Sequence, residues 1–398
     1  MRQVIVGGGS SDPLNTAATE YIGIYKRQTH TWAAAEANRK QMIPGNGIMH
    51  SFKIILSASP GGTGSYIFTL RINGAATGQT VTVTAPNTSA EITTVETTLT
   101  QGAFWVLEAA PSGTPTAAPT VQWEFIVEDN VNRCMITGGH QNPLNATTTE
   151  FNALAGGDLW AVNTVGFNNF LSPLPVSGKF TNWFVELSGA PGAGTSYTIG
   201  LRSNALVILT TTISGTATTG NDTSLVTATE GEGIEIRSNP SSIPTVRFAW
   251  WGVCFEPDEP YFYPVLCGST DIPATGEFNS LFSSGQVWGA TESSFRVRVK
   301  MGAYKNLYMS TGTPPGVGQT ATLTVYKNGI ATSLSVTLSD TATLAGNTTF
   351  VLETVDDDEL SIEYTQSVGA AVTDLGWSVA QFTYNPWMYS AREGNMGN

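Results

Sequence analysis

The chain has 398 residues and a formal net charge of −13. Because an acidic surface repels phosphate groups, this charge argues against nucleic acid and anionic membranes as partners. Charged residues make up only 12% of the sequence, whereas Gly and Pro number 42 and 20. Helix surfaces usually carry many Lys, Glu and Arg side chains, so this composition favours strands and turns.

A short motif near the start of the chain returns twice further along. Pro13-Leu14-Asn15 is followed by Thr19-Glu20-Tyr21, and the same pattern recurs from Pro143 to Phe151. A weaker third copy begins at Pro273 and contains Glu277-Phe278. One Trp follows each copy of the motif, and a second Trp lies near the end of each repeated segment. These residues are Trp32, Trp160 and Trp288, and then Trp123, Trp251 and Trp377.

The best match between copies lies between these two Trp positions. The segment from Leu56 to Asn73 aligns without a gap on the segment from Leu187 to Asn204, and both contain a Leu-Ser pair and a Pro-Gly turn. The third copy keeps Pro315-Gly316-Val317-Gly318. The sequence therefore predicts three units at 1–129, 130–258 and 259–386, followed by a tail at 387–398.

The repeated segments alternate apolar and polar residues, as half-buried antiparallel strands do. Tyr66, Phe68, Leu70 and Ile72 share one face, for example, and Thr69 and Arg71 the other. Ala33–Ala37 is the best candidate for a helix. We therefore predict an all-β fold of three tandem jelly-roll β-sandwich domains, each with about eight to ten strands in two sheets.

No motif in the sequence indicates a catalytic, metal or cofactor site. The three Cys residues lack Cys-x-x-Cys spacing, and no nucleophile elbow is present. Cys134 and Cys254 fall on strands that pair in many jelly rolls, which would bring their thiols close together. The acidic run Asp356–Glu359 fits either a solvated turn or a calcium site, and the turn is favoured because EF-hand spacing is missing.

Two recurring residue types leave alternatives open. The Trp residues fit a sandwich core, and aromatic faces that stack on sugar rings are the competing interpretation. The recurring Glu20 and Glu150 are candidates for ion pairs with Arg71 and Arg202. The third unit has Tyr326 in place of this Arg, which weakens any shared catalytic role.

Basic residues cluster in the third unit. Arg296, Arg298 and Lys300 alternate with Val297 and Val299, which fits the solvent-facing side of a strand or a positive stripe that docks on an acidic partner. Together with two aromatic residues of the tail, they form our candidate docking surface. Its members are Arg296, Arg298, Lys300, Lys305, Trp387 and Tyr389.

The segment from Leu187 to Asn204 and the Thr-rich stretch Thr211–Thr218 resemble a β-sandwich module of tailed phages and environmental viral sequences. Pro111-Ser112-Gly113-Thr114-Pro115-Thr116 matches a further element of that module. The general shape is similar to the trimer-forming jelly rolls of tumour necrosis factor and complement C1q type. The resemblance implies a role in virion structure, as a capsid decoration, head fibre or tail appendage.

The sequence thus leads us to expect a non-enzymatic structural protein of a tailed-phage virion. We expect a three-domain pseudo-trimer, without cofactors, that decorates the capsid or forms a head-fibre or vertex protein. Its expected partners are the major capsid protein or vertex proteins. The alternative is a tail appendage that binds a receptor or host-surface glycan. A glycan-active enzyme with paired carboxylates is the third hypothesis.

Overall fold

The computed structural model describes residues 2–10, 12–25, 31–129, 133–140, 142–155, 160–162, 171–269, 273–282, 288–299 and 301–383. Its strands form six five-stranded antiparallel sheets, and each sheet takes its strands from one of the three repeated units. Among the described residues, no helix has both the length and the apolar character needed to cross a membrane.

Each unit contains ten strands within the described residues. Those of the first unit are β1 (Arg2–Ser10), β2 (Glu20–Ile22), β3 (Gln41–Met42), β4 (Gly47–Leu56), β5 (Ser65–Ile72), β6 (Ala75–Thr84), β7 (Ser89–Ile92), β8 (Thr97–Leu99), β9 (Phe104–Ser112) and β10 (Val121–Asp129). Those of the second unit are β11 (Cys134–His140), β12 (Glu150–Asn152), β13 (Ser172–Pro173), β14 (Gly178–Leu187), β15 (Gly192–Ser203), β16 (Leu206–Gly215), β17 (Thr219–Asp222), β18 (Val226–Ala228), β19 (Gly233–Ser241) and β20 (Ala249–Pro257).

The third unit repeats the series. Its strands are β21 (Phe262–Ser269), β22 (Glu277–Asn279), β23 (Val297–Val299), β24 (Gly302–Thr313), β25 (Gly316–Lys327), β26 (Ile330–Asp340), β27 (Leu344–Asn347), β28 (Leu352–Thr354), β29 (Asp358–Gln366) and β30 (Thr373–Thr383). Where a helix is predicted at Ala33–Ala37, the chain forms a single 3₁₀ turn, Glu36–Asn38. A second 3₁₀ turn, Glu292–Ser294, lies in the third unit.

The strand order within a unit is that of a jelly roll. In the first unit, one sheet has the order β1-β10-β4-β7, with β8 also on β4, and the other has the order β2-β9-β5-β6, with β3 also on β9. The first and last strands of the unit therefore lie side by side, as closure of a double Greek key requires. The second and third units have the same order. The predicted fold of tandem β-sandwich domains is confirmed.

The hairpin between the fifth and sixth strands shows how local sequence specifies this fold. In the first unit it turns through Asn73-Gly74 and in the third through Asn328-Gly329, with φ between 50° and 80° at all four residues. Two successive residues with positive φ define the type I′ turn that matches strand twist, and Asn-Gly is its preferred sequence. The second unit makes the same turn with Asn204-Ala205.

The repeated Trp residues form the centre of each sandwich. All six are at most 9% exposed, and those of each unit meet edge to face. The ring centres lie 6.4 Å apart for Trp32 and Trp123, 5.7 Å for Trp160 and Trp251, and 5.6 Å for Trp288 and Trp377. The second ring of each pair donates its indole N–H to a backbone carbonyl. The prediction that these residues are core is confirmed, so they offer no face to a sugar.

Candidate functional site

The recurring Glu residues hold a loop of their own unit. The Glu20 carboxylate accepts the backbone N–H of Asn15 at 2.8 Å, and the Glu150 carboxylate accepts that of Asn145 at 2.7 Å. Glu277 accepts the N–H of Ala274 in the same way. Burial raises the pKa of Glu20 and Glu150. This shared geometry explains the repeated motif as a loop anchor.

The predicted pairing of these Glu residues with Arg is wrong. Arg71 is paired with Glu36 at 2.8 Å and with Glu108 at 3.0 Å. Arg202 is paired at 2.6 Å with Glu235, a residue that is 0% exposed. The error has a simple cause, because strand alternation places the Glu on the face opposite the aromatic residue that follows it, and the Arg lies on the aromatic face. The aromatic residue after the Glu meets this Arg instead, and the Arg202 guanidinium lies 4.9 Å from the Phe151 ring centre.

The acidic run of the third unit is a hydrogen-bonded turn. The Asp358 carboxylate accepts the N–H of Val355 and the side-chain amide of Asn328, and it lies 3.2 Å from Lys327 Nζ. Although burial opposes it, these contacts lower the pKa of Asp358. Across the described ranges, no group of three or more His, Cys, Asp or Glu side chains could hold a metal ion.

The three Cys residues are buried and form no disulfide bond. The strand register places Cys134 opposite Phe255 and Cys254 opposite Met135, so the two thiols point to opposite faces of one sheet. Cys254 lies on the face directed at the first unit, because a side chain on Gly45 would overlap its sulfur. The two strands pair as the sequence predicts, but their register directs the two thiols to opposite faces of the sheet. Burial raises the pKa of Cys254 to about 12.

The first and second units meet around Lys40. Its ammonium lies 3.2 Å from Glu186 of the second unit, 4.1 Å from the Phe104 ring centre and 4.6 Å from the Trp250 ring centre. Tyr25, which is partly buried, donates its hydroxyl to the Met135 carbonyl at 2.5 Å in the same interface. A cation between two aromatic rings and a carboxylate thus joins these units.

Side-chain hydrogen bonds join the second and third units. Asn306 donates its side-chain amide to the Pro175 carbonyl at 2.9 Å, and Tyr308 donates its hydroxyl to Glu230 at 2.6 Å. Ser172 and Ser310 each donate to a backbone carbonyl of the other unit. Burial and the Glu230 carboxylate raise the pKa of Tyr308.

The third and first units also touch, which closes a ring of three interfaces. Gln122 donates its side-chain amide to the Arg296 carbonyl at 3.0 Å, and Lys53 lies 3.2 Å from Asp357. Lys53 and Tyr308 occupy equivalent positions, since each follows the bulge in the long central strand of its unit. Each unit therefore contacts both others. At equivalent positions, Lys53 forms an ion pair at one interface, whereas Tyr308 donates a hydrogen bond at another. A single sequence gives no signal for these contacts, because they join residues far apart in the chain.

The structure describes three of the six candidate docking residues, Arg296, Arg298 and Lys305. Arg298 lies on β23, where its Nε is 3.4 Å from Glu359, and its side chain is 44% exposed. Arg296 is paired with Glu292 and with the same Glu359. Lys305 belongs to the opposite sheet, lies 2.7 Å from Glu259 and sits over the Phe262 ring. The other members, Lys300, Trp387 and Tyr389, lie outside the described residues.

A scan against protein-family models and a search of curated proteins found no match for this chain.

Proposed function

We propose that this chain is a non-enzymatic structural protein of a tailed-phage virion, displayed on the capsid as a decoration, head-fibre or vertex protein. The observation that carries the proposal is the closed ring of three jelly rolls within one chain, joined by the interfaces around Lys40, Tyr308 and Lys53. The resemblance of the Leu-Ser and Pro-Gly segment to a phage module supports the same role.

A ring built from one chain differs from a trimer of identical subunits in one useful respect. Identical subunits present the same outer face three times. Here equivalent positions have diverged, so each unit presents its own face. That arrangement suits a protein that binds an asymmetric position on a larger assembly through one unit.

The contacts of the described carboxylates and of His50 support a structural role for these groups. The recurring Glu20, Glu150 and Glu277 each hold a loop backbone, and the acidic run closes a turn. His50 lies between Ser51 and Glu128, at 2.8 Å and 3.0 Å. These groups have structural tasks within their own units, whereas paired carboxylates of a glycosidase face a shared cleft.

Within the third unit, Arg298 is the best candidate for contact with an acidic capsid or vertex protein. Its side chain is 44% exposed and shares Glu359 with Arg296. Exposed charges at the rim of an interface mainly affect the association rate and its salt dependence. We therefore expect docking to weaken as ionic strength rises.

Particles of the virus that encodes this chain test the proposal. Quantitative mass spectrometry of gradient-purified particles should find the chain at a fixed ratio to the major capsid protein. Absence from the particles would refute the role. A different result would favour the receptor- or glycan-binding appendage. In that case, antibody labelling of the particles would locate the chain only on the tail, and particles without the chain would not adsorb to host cells.

A pair of variants tests the docking residue. Recombinant chain should rebind particles that lack it, and Arg298→Gln should slow rebinding at low salt. Lys179→Gln removes one positive charge from the second unit and serves as the matched control. Equal rebinding of both variants and the unmodified chain would exclude Arg298 from the interface.

A further inference from the structure

A cavity of about 180 Å³ opens between the second and third units. The second unit contributes Leu171, Asn204 and Gly233 to its lining, and the third contributes Ser310, Leu344 and Asp374. Asn204 and Leu344 are exposed, whereas Ser310 and Gly233 are buried. The cavity is therefore open to solvent at one side and closed by packed backbone at the other.

The cavity lies where the interfaces between units differ at equivalent positions. Where the first unit meets the second, Lys40 lies between the rings of Phe104 and Trp250. Strand register relates Phe104 to Gly233, because each pairs with the last residue of the short third strand of its unit. Trp250 and Gly376 each precede the core Trp of their last strand. The corresponding residues at the second interface are Leu171, Gly233 and Gly376.

The interface between the third and first units is filled in its own way. Arg296 stands at the position of Lys40, and Gln122 at the position of Trp250, and the two are hydrogen-bonded. The first and third units thus have a basic residue at this position, whereas the second unit has Leu171. At the second interface, Gly233 and Gly376 stand at the positions of Phe104 and Trp250, and a Cβ on either glycine would overlap Leu171.

The third unit also has a carboxylate, Asp374, at the position where the other two units have Thr120 and Phe248. In the first and second units, Ser57 and Ser188 accept the backbone N–H of Thr120 and Phe248 on the paired strand. The third unit has Gly312 instead, paired with Asp374, and a side chain at Gly312 would overlap the Asp374 carboxylate. Partial burial raises the pKa of Asp374, although a hydrogen bond with the Thr373 side chain opposes this rise.

We propose that this cavity binds an alkylammonium group, whose charged end meets Asp374 and whose short carbon chain lies against Leu171 and Leu344. The ligand would supply from outside the cation that Lys40 supplies from within at the first interface. This inference is independent of the role of the chain in a virus particle.

Calorimetric titration with n-butylamine, and with n-butanol as the neutral probe of similar size, tests the proposal on the full chain. Butylamine should bind, and butanol should bind about tenfold or more weakly, because a hydrogen bond to a charged group outweighs a neutral one. Nα-acetyl-lysine methylamide separates two sources. Comparable binding assigns the group to a lysine side chain of a partner protein, and exclusion assigns it to a free amine.

Three variants test the location of the site. Asp374→Asn keeps a residue that tolerates positive φ, which Asp374 adopts at 49°, and should weaken butylamine binding about tenfold or more. Glu96→Gln, which removes an exposed carboxylate of the first unit, should leave binding unchanged. Leu171→Lys should place an internal ammonium in the cavity, abolish butylamine binding and raise the thermal midpoint.

The outcomes that overturn the proposal are equally specific. They are no butylamine binding at millimolar concentration, equal binding of butylamine and butanol, or unchanged affinity in Asp374→Asn. If Leu171→Lys fails to fold, as judged by circular dichroism, the Asp374→Asn and Glu96→Gln pair still decides the matter.

Discussion

Replacing Trp251 by Ala should destabilise the second unit more than most other single substitutions. The side chain is 0% exposed, and truncation of a buried Trp costs about 3–5 kcal/mol. Its indole nitrogen donates to the Leu154 carbonyl at 2.7 Å, and an orphaned buried acceptor costs about 1–3 kcal/mol. The edge contact with Trp160 adds about 0.5–1.5 kcal/mol. Since these contributions overlap, we expect a loss of about 4–5 kcal/mol.

Urea unfolding read separately in each unit is the appropriate assay, because units of one chain need not unfold together. Hydrogen exchange of peptides from 134–257, followed by mass spectrometry at increasing urea, reports the second unit alone. With a urea dependence of about 2 kcal/mol per molar, the midpoint of this unit should fall by about 2 M.

Two controls accompany this measurement. Trp251→Phe retains a ring but loses the hydrogen bond to Leu154, so its effect should lie between those of the unmodified chain and Trp251→Ala. Leu206→Ala removes a side chain that is 71% exposed and should change stability by less than about 0.5 kcal/mol. A loss below about 1 kcal/mol for Trp251→Ala would refute the packing described for the core.

Three further predictions concern single contacts. Because burial raises the pKa of Glu150, the native state binds more protons than the unfolded state, so stability should fall as the pH rises from the ordinary Glu value to the raised one. Glu150→Gln should flatten that slope in urea melts between about pH 4 and 7. A double-mutant cycle of Lys40→Met and Glu186→Gln should give a coupling energy of about 0.5–1 kcal/mol, because both side chains are partly exposed. A coupling energy of zero would contradict the ion pair. Burial raises the pKa of Cys254 to about 12, so iodoacetamide at about pH 8 should alkylate it only as fast as the unit unfolds, and rapid labelling would show that the thiol is accessible.

The sequence predicted what recurs and missed what differs between units. Trp251 and Trp377 could be placed in the core because they alternate with apolar neighbours. The pairing of Glu150 with Arg202 failed because the loop N–H of Asn145, which no side-chain pattern reveals, takes the carboxylate. The ion pair of Arg202 with Glu235 depends on strand register, which spacing along the chain does not give.

The features between units were beyond the sequence for a different reason. Lys40, Phe104 and Trp250 meet only when two units pack together. The cavity beside Asp374 is recognised only by comparing this interface with the second one, where Gly233 and Gly376 take the places of Phe104 and Trp250. The differences between units at equivalent positions show a cavity only when the packing of the units is known.

Small-angle X-ray scattering of the monomeric chain tests the closed ring most directly. A compact chain of this length should have a radius of gyration of about 22 Å and a pair-distance distribution with a single maximum. An elongated profile with a much larger radius would contradict the contacts between the third and first units, Lys53 with Asp357 and Gln122 with Arg296, and with them the ring itself.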